Sequence, residues 1–219
     1  MAGQRAAGNQ ALEQQIVAGL AELNIDTEPQ RLLAFVLMLD KWNHSYNLTA
    51  VREPAQMVVQ HLFDSLVMLP FIIGPRIIDV GTGAGLPGIP LALVSAGQHF
   101  VLLDSNRKKT RFVLQAVAEL GLANVEVVTS RAEDYRPVEG FDTVICRAYA
   151  TIGQILASAG HLCRPGGQVL AMKGQHPAAE LAAIVPPFTI KNIQAISVPQ
   201  LRAARHVVSI DRMAAHEPG

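Results

Sequence analysis

The sequence predicts an α/β fold: a doubly wound, mostly parallel seven-stranded sheet with an antiparallel edge, preceded by a helical N-terminal subdomain. Three observations predict it. From Arg76 onward, short β-rich runs alternate with helical stretches. The strands are near-continuous apolar runs, the pattern of a parallel sheet covered on both faces. A glycine-rich segment joins the first strand to the next helix, where such sheets take their ligands.

Each element can be justified in order. Leu12, Ile16, Leu20 and Leu23 recur at helical spacing before a break at Asn24–Thr27. A second helical run covers Leu32 to Leu39, and a third runs from Met57 through Leu69 to close at Pro70. No β-type alternation interrupts residues 1–73, which are expected to form a helical cap. Strands are then expected at Arg76–Val80, His99–Leu103, Val125–Val128, Phe141–Cys146 and Gln168–Met172. Helices are expected at Gly88–Ser95, Arg107–Leu120, Thr151–Leu162 and Ala178–Val185. Phe188–Val198 and His206–Ile210 read as two strands without a helix between them, hence an antiparallel edge. The domain 74–213 ends in a short tail, 214–219.

Composition narrows the function classes. The chain has 219 residues, is 50% hydrophobic, and balances 18 Lys+Arg against 18 Asp+Glu. Disorder is excluded by that apolar content at zero net charge. The longest apolar run, residues 66–73, is far short of the ~20 residues that span a bilayer, and residues 1–9 carry no apolar signal core. No membrane partner is expected. Two cysteines, Cys146 and Cys163, make no disulfide framework, and no Cys/His cluster has metal-binding spacing, so a reduced, cytoplasmic, metal-free chain is the expectation. Formal neutrality argues against a dedicated polyanion binder and against a DNA partner.

The strand Arg76–Val80 runs into Gly81-Thr82-Gly83-Ala84-Gly85-Leu86-Pro87-Gly88. Glycines let a backbone approach a ligand closely and adopt positive φ; a tight strand-to-helix turn is the bland alternative. Asp79 sits two positions before Gly81. A carboxylate there repels a pyrophosphate but suits an ammonium, such as that of S-adenosylmethionine (SAM). The pattern Asp79-x-Gly81-x-Gly83-x-Gly85 resembles the motif of class I SAM-dependent methyltransferases, which have a Rossmann-like fold. Asp104, 23 residues after Gly81, ends the second strand, where a carboxylate can accept ribose hydroxyls. An NAD enzyme would use the same position. Ala132-Glu133 follows the third strand, where methyltransferases cradle the adenine.

The segment after the fourth strand, Val144-Ile145-Cys146-Arg147-Ala148-Tyr149-Ala150, lacks the Asn/Asp-Pro-Pro-Tyr tetrad of exocyclic-amine methyltransferases. Cys146 ends a buried strand and reads as a core cysteine rather than a nucleophile. Arg147 suits a carboxylate, a phosphate or a guanine edge; an ion pair with Asp142 or Glu133 is equally open from spacing alone.

Several segments together are identified with one family: Trp42-Asn43-x-x-Tyr46-Asn47-Leu48-Thr49, His61-x-x-Asp64-Ser65-Leu66, and Asp79 through Pro90. Leu103-Asp104-Ser105, Arg107-Lys108-Lys109, Cys146-Arg147-Ala148 and Met172-Lys173-Gly174-Gln175 continue the likeness. The chain resembles, over residues 30–210, the bacterial 16S rRNA guanine-N7 methyltransferases, also called glucose-inhibited division protein B. The resemblance implies methyl transfer from SAM to N7 of one guanine in the 530 loop of 16S rRNA, with the small ribosomal subunit as partner. It places SAM contacts on Gly81, Leu86, Ala132, Glu133 and Arg147, alongside Asp79, Gly83, Gly85 and Asp104. Arg147 and Lys173 are the expected guanine- or phosphate-positioning residues, with no general base.

Arg107, Lys108, Lys109 and Arg111 put four cations at a helix start, and with Arg202 and Arg205 they are the RNA-contact candidates. A solvated face is the bland reading of such a run. Residues 1–103 carry 5 Lys+Arg against 8 Asp+Glu, and residues 104–219 carry 13 against 10, so the net charges are −3 and +3. A methyltransferase acting on a small molecule or protein, or a non-catalytic rRNA-binding protein on the same fold, remain open from the residues; an NAD oxidoreductase stands third.

Overall fold

The structure, a computed structural model, describes residues 2–147 and 150–214, with side chains from residue 6 onward. The expected tail lies outside the described residues except for residue 214, as do Ala148 and Tyr149.

Helices α1 (Ala2–Glu22) and α2 (Pro29–Tyr46) come first along the chain. Pro29 occupies the first turn of α2, where its missing N–H costs nothing, and Asn47 ends the helix in the left-handed region at φ 49°. The helix therefore runs seven residues beyond Leu39, where the expected apolar run stopped. A third stretch consists of α3 (Pro54–Met57), a π-helical turn over Val58–Phe63 and α4 (Asp64–Leu66). The chain does not close at Pro70: a 3₁₀ turn over Leu69–Phe71 accommodates it at its start.

The sheet comprises β1 (Arg76–Val80), β2 (His99–Asp104), β3 (Val125–Thr129), β4 (Phe141–Arg147), β5 (Cys163–Lys173), β6 (Phe188–Ile196) and β7 (Arg205–Arg212). Their order is β3-β2-β1-β4-β5-β7-β6. The first five pair in parallel, and β7 pairs antiparallel with both β5 and β6. The expected seven-stranded sheet with an antiparallel edge is thus borne out. Helices α5 (Gly88–Val94), α6 (Arg107–Glu119) and α7 (Ile152–Ala159) make the crossovers.

Two local expectations need correction. Residues 178–185 do not form an α-helix; Ala178–Ala183 is 3₁₀. The segment lies between Pro177 and Pro186, too short to recover the nucleation cost of an α-helix, and the residue before a proline is disfavoured in the α region. Strand β5 starts five residues early, at Cys163, and its register against β4 shifts between Phe141 and Thr143.

Strand alternation sends successive side chains to opposite faces. Ile77, Phe100, Leu102, Ile145, Leu170, Met172 and Val207 join one core with Ile16, Leu20, Leu32, Phe35, Leu39, Leu62, Phe63 and Leu66 of the N-terminal helices and Phe112 of α6. Ile78, Val80, Val101, Leu103, Val144, Cys146, Val169, Ala171 and Val208 join the other, under α7. The N-terminal helices thus share a core with the sheet. Each fully buried Leu, Ile or Phe stabilises by about 1.5–3 kcal/mol. Trp42 stacks on Tyr46 at 5.0 Å and tilts against Phe112, tying α2 to α6.

Candidate active site

The strand order reverses between β1 and β4, so a crevice opens outside the carboxyl ends of these strands. A cleft of about 390 Å³ occupies it. Its lining comes from Val80 and Gly81, from Leu103 to Asn106 with Lys109, from Ser130 to Glu133, and from Arg147.

Local chemistry builds the glycine loop. The amides of Gly81 and Thr82 both donate to the Leu103 carbonyl, at 2.8 and 3.0 Å, and pin the loop to β2. Gly81, Gly83 and Gly85 adopt φ of 71°, 59° and 78°, which favours glycine. Asp79 is fully buried beneath the loop. Its Oδ2 accepts from the Thr82 hydroxyl at 2.6 Å and from the Gly88 amide at 2.9 Å, while its Oδ1 is buried without a partner. Burial pushes this carboxyl up to about 6, opposed by the hydrogen bonds from Thr82 and Gly88 and by the Arg147 charge. Asp104 accepts from the Gly83 amide at 2.8 Å and, through its other oxygen, from the Asn106 amide at 2.8 Å. The Asn106 side chain in turn caps α6, accepting from the Lys108 and Lys109 amides.

Arg147 reaches the cleft from the end of β4. Neither expected ion-pair partner is used: Asp142 pairs with Arg164, and Glu133 stands exposed on the cleft wall. Arg147 instead donates from Nη1 to Asp64 Oδ2 at 3.0 Å, and Arg205 donates from Nε to Asp64 Oδ1 at 2.6 Å. His61, one turn before Asp64, has its Nε2 2.7 Å from the Thr49 hydroxyl. Burial, and then the Arg147 charge, hold it down to about 4, so the imidazole is neutral near pH 7.

Of the expected cofactor residues, Gly81, Asp104, Ala132, Glu133 and Arg147 line the cleft. A Cβ on Gly83 would meet nothing nearer than 3.9 Å, so the space over the loop is open there. Asp79, Gly85 and Leu86 lie in and under the loop rather than on the cleft wall. Lys173 does not line it: Nζ donates to the Ala150 carbonyl at 2.7 Å and to Glu180 Oε2 at 2.8 Å. Among the RNA-contact candidates, Arg107, Lys108, Arg111 and Arg202 are exposed, Lys109 lines the cleft, and Arg205 is turned inward onto Asp64. Sequence reasoning missed Asp64, although His61-x-x-Asp64-Ser65 was on view, and it missed Ser130 and Arg131, which follow directly from the end of β3. Among the described residues, no group of three His, Cys, Asp or Glu could hold a metal ion, and no helix is long and apolar enough to cross a membrane.

The site fits an adenosine-bearing sulfonium cofactor. An unpartnered carboxylate oxygen lies beneath the loop, the loop leaves open space where a side chain would intrude, and a carboxylate ends β2. Comparisons with known proteins agree. The fold is similar to a putative O-methyltransferase from Klebsiella pneumoniae, with a TM-score of 0.58 at 14% identity, covering 88% of this chain and 94% of that one. The sequence is 49% identical over 195 residues to the ribosomal RNA small subunit methyltransferase G of Nitrosococcus oceani, 88% of this chain and 91% of that protein. It is also 49% identical over 191 residues to the protein of the same name from Shewanella amazonensis, 87% and 93%. A family model described as rRNA small subunit methyltransferase G matches residues 28–208, which include every residue of the cleft. With the loop, the two strand-end acids and Arg147 all inside that match, the chain belongs to the GidB family of rRNA small subunit methyltransferases.

Proposed function

We propose that the protein transfers the methyl group of S-adenosylmethionine to N7 of one guanine in the 530 loop of 16S rRNA, acting in the cytoplasm on the small ribosomal subunit. The observation that carries the reading is the cleft at the switch point, where Asp104 ending β2 and Glu133 following β3 face the Arg147 guanidinium at the end of β4. Cys146, the one thiol near it, is fully buried, and burial pushes the thiol far up. No thiolate is available for covalent catalysis. His61 is spent on Thr49.

Guanine N7 suits such a site. It carries a lone pair and no proton, so its attack needs no base, and the catalytic task reduces to alignment. When bound, SAM supplies an electrophilic methyl on a sulfonium centre. Asp79 Oδ1 would meet the methionine ammonium, Asp104 the ribose hydroxyls, and the Ala132 amide with Glu133 the adenine. Arg147, on the same cleft wall, would touch SAM and hold the guanine O6 edge or an adjacent phosphate, since its fork of donors can pair with two acceptor atoms at once. The proposal gives Lys173 a positioning role: its ammonium joins the Ala150 carbonyl to Glu180, whose Oε2 also accepts from the Ile152 amide at 2.6 Å. This holds the chain that leaves β4. No metal enters the scheme.

The test is methyl transfer from labelled SAM to 30S subunits and to free 16S rRNA from a strain lacking the enzyme, with the modified base mapped. One N7-methylguanine in the 530 loop is expected. Label on an exocyclic amine or a ribose would overturn the N7 reading, and label only on small molecules or protein would overturn the rRNA substrate. Arg147→Ala is expected to lower turnover by at least about 100-fold, the scale of losing one preorganised charged contact.

A further inference from the structure

We infer that Asp64 is a positioning residue for the transfer site, setting the stance of Arg147 from outside the sheet; the inference rests on the reading of the cleft given above. Arg147 is a long side chain at a strand end, and fixing such a chain costs rotamer entropy. It stands still only where something holds it. Two acceptors do so, Asp64 Oδ2 at 3.0 Å and the Gln60 carbonyl at 3.4 Å. Both come from the π-helical turn and the residue after it.

That turn explains why both are available. In an α-helix the Asp64 amide would donate to the Gln60 carbonyl; here its acceptors are the His61, Leu62 and Val59 carbonyls, the last five residues before. The Gln60 carbonyl, 3.0 Å from His61 Nδ1, also lies within reach of the guanidinium. π-turns inside helices recur where a side chain must be re-aimed at a functional site.

The second arginine has a distinct consequence. Asp64 is buried, and its Oδ1 takes Arg205 at 2.6 Å from the start of β7. One carboxylate shared by two guanidiniums keeps a net positive charge, and Arg147 remains a cation toward the cleft while its position is fixed. This carboxylate joins three elements at the rim: the helical cap through Asp64, β4 through Arg147 and the antiparallel edge through Arg205. Asp64 is not among the residues that line the cleft and acts through Arg147.

The test uses the full-length enzyme and the variants Asp64→Asn, Arg147→Ala, their double variant and Arg205→Gln. SAM Kd by calorimetry, KM and kcat on 30S subunits, and thermal midpoint are measured for each. Asp64→Asn is expected to raise SAM Kd and KM about tenfold and to add nothing to Arg147→Ala, as expected for two residues in one network. Arg205→Gln, which removes only the second anchor, is expected to raise both about threefold. If Asp64→Asn does not fold, Arg205→Gln decides. A folded variant with lowered thermal midpoint but SAM Kd and KM within twofold of wild type would show that the cluster only supports the fold and would overturn the inference. Independent, multiplying effects of Asp64→Asn and Arg147→Ala would do the same. Failure of the wild-type protein to bind SAM would instead overturn the reading of the cleft itself.

Discussion

Asp79 shows how one residue serves fold and site with different atoms. Its Oδ2 closes the glycine loop through Thr82 and Gly88, and its Oδ1 is left without a partner. Desolvation lifts the carboxyl to about 6, so the folded chain holds this proton better than the unfolded chain. Without ligand, the protein loses stability as pH rises from about 4 to 6 and Asp79 ionises, by at most roughly 3 kcal/mol for a shift of about two units. A cation bound at Oδ1 prefers the ionised form. The proposed ammonium contact therefore predicts that SAM affinity rises as pH climbs from 5 to 7, by up to about tenfold, and levels above that. Calorimetry across that range checks it, and Asp79→Asn is expected to bind more weakly with no such slope. His61 cannot produce the same profile, because its titration lies near 4. A pH-independent wild-type affinity would remove the ammonium from Asp79.

At the scale of the element, the glycine loop separates two costs that a glycine can carry. Gly83 needs positive φ but has open space above it, whereas a Cβ on Gly88 would overlap the Leu102 side chain and lie 2.9 Å from Asp79 Oδ2. Gly83→Ala is expected to cost only about 1 kcal/mol of stability, the left-handed penalty, and to weaken SAM binding at least about tenfold by filling the cleft. Gly88→Ala is expected to lower the thermal midpoint much more, by forcing β2 and the loop apart. Denaturation and SAM titration of the two variants read these effects separately, and equal stability losses would contradict the packing described. The same loop shows what was legible in the sequence. Its chemistry is local: Asp79, Thr82 and Gly88 lie within ten residues, and the turn needs its glycines whatever surrounds it. The alternation of apolar strands with helices was legible for the same reason. Asp64 was not, because its partners Arg147 and Arg205 lie 83 and 141 residues away. Nor was the engagement of Lys173 by Glu180, which depends on a 3₁₀ turn where periodicity suggested an α-helix.

Over the whole molecule, zero net charge conceals an uneven surface. Many cations of the C-terminal half are committed internally: Arg147 and Arg205 to Asp64, Lys173 to Glu180, Arg164 to Asp142 and Lys191 to Asp211. Among the described residues, Arg107, Lys108, Arg111 and Arg131 form no ion pair; all four are exposed, on the first turns of α6 and beside the cleft. Arg107, Lys108, Lys109 and Arg111 at the start of α6 oppose its dipole, a cost that the Asn106 cap offsets only in part. Under the proposed function, they occupy the rim that an rRNA strand would cross to bring a base to Arg147. Each phosphate neutralised there contributes about 0.7–0.9 to the slope of log affinity against log salt. The double variant Lys108→Ala/Arg111→Ala is therefore expected to bind 16S rRNA more weakly and to lower that slope by about 1.4–1.8. Its SAM affinity should stay at the wild-type value, since neither side chain lines the cleft. Filter binding from about 50 to 200 mM salt, beside SAM calorimetry, gives both quantities. An unchanged slope would move the RNA path off α6, toward Arg131 and Arg202. A parallel loss of SAM affinity would show that the cluster supports the cleft rather than the RNA.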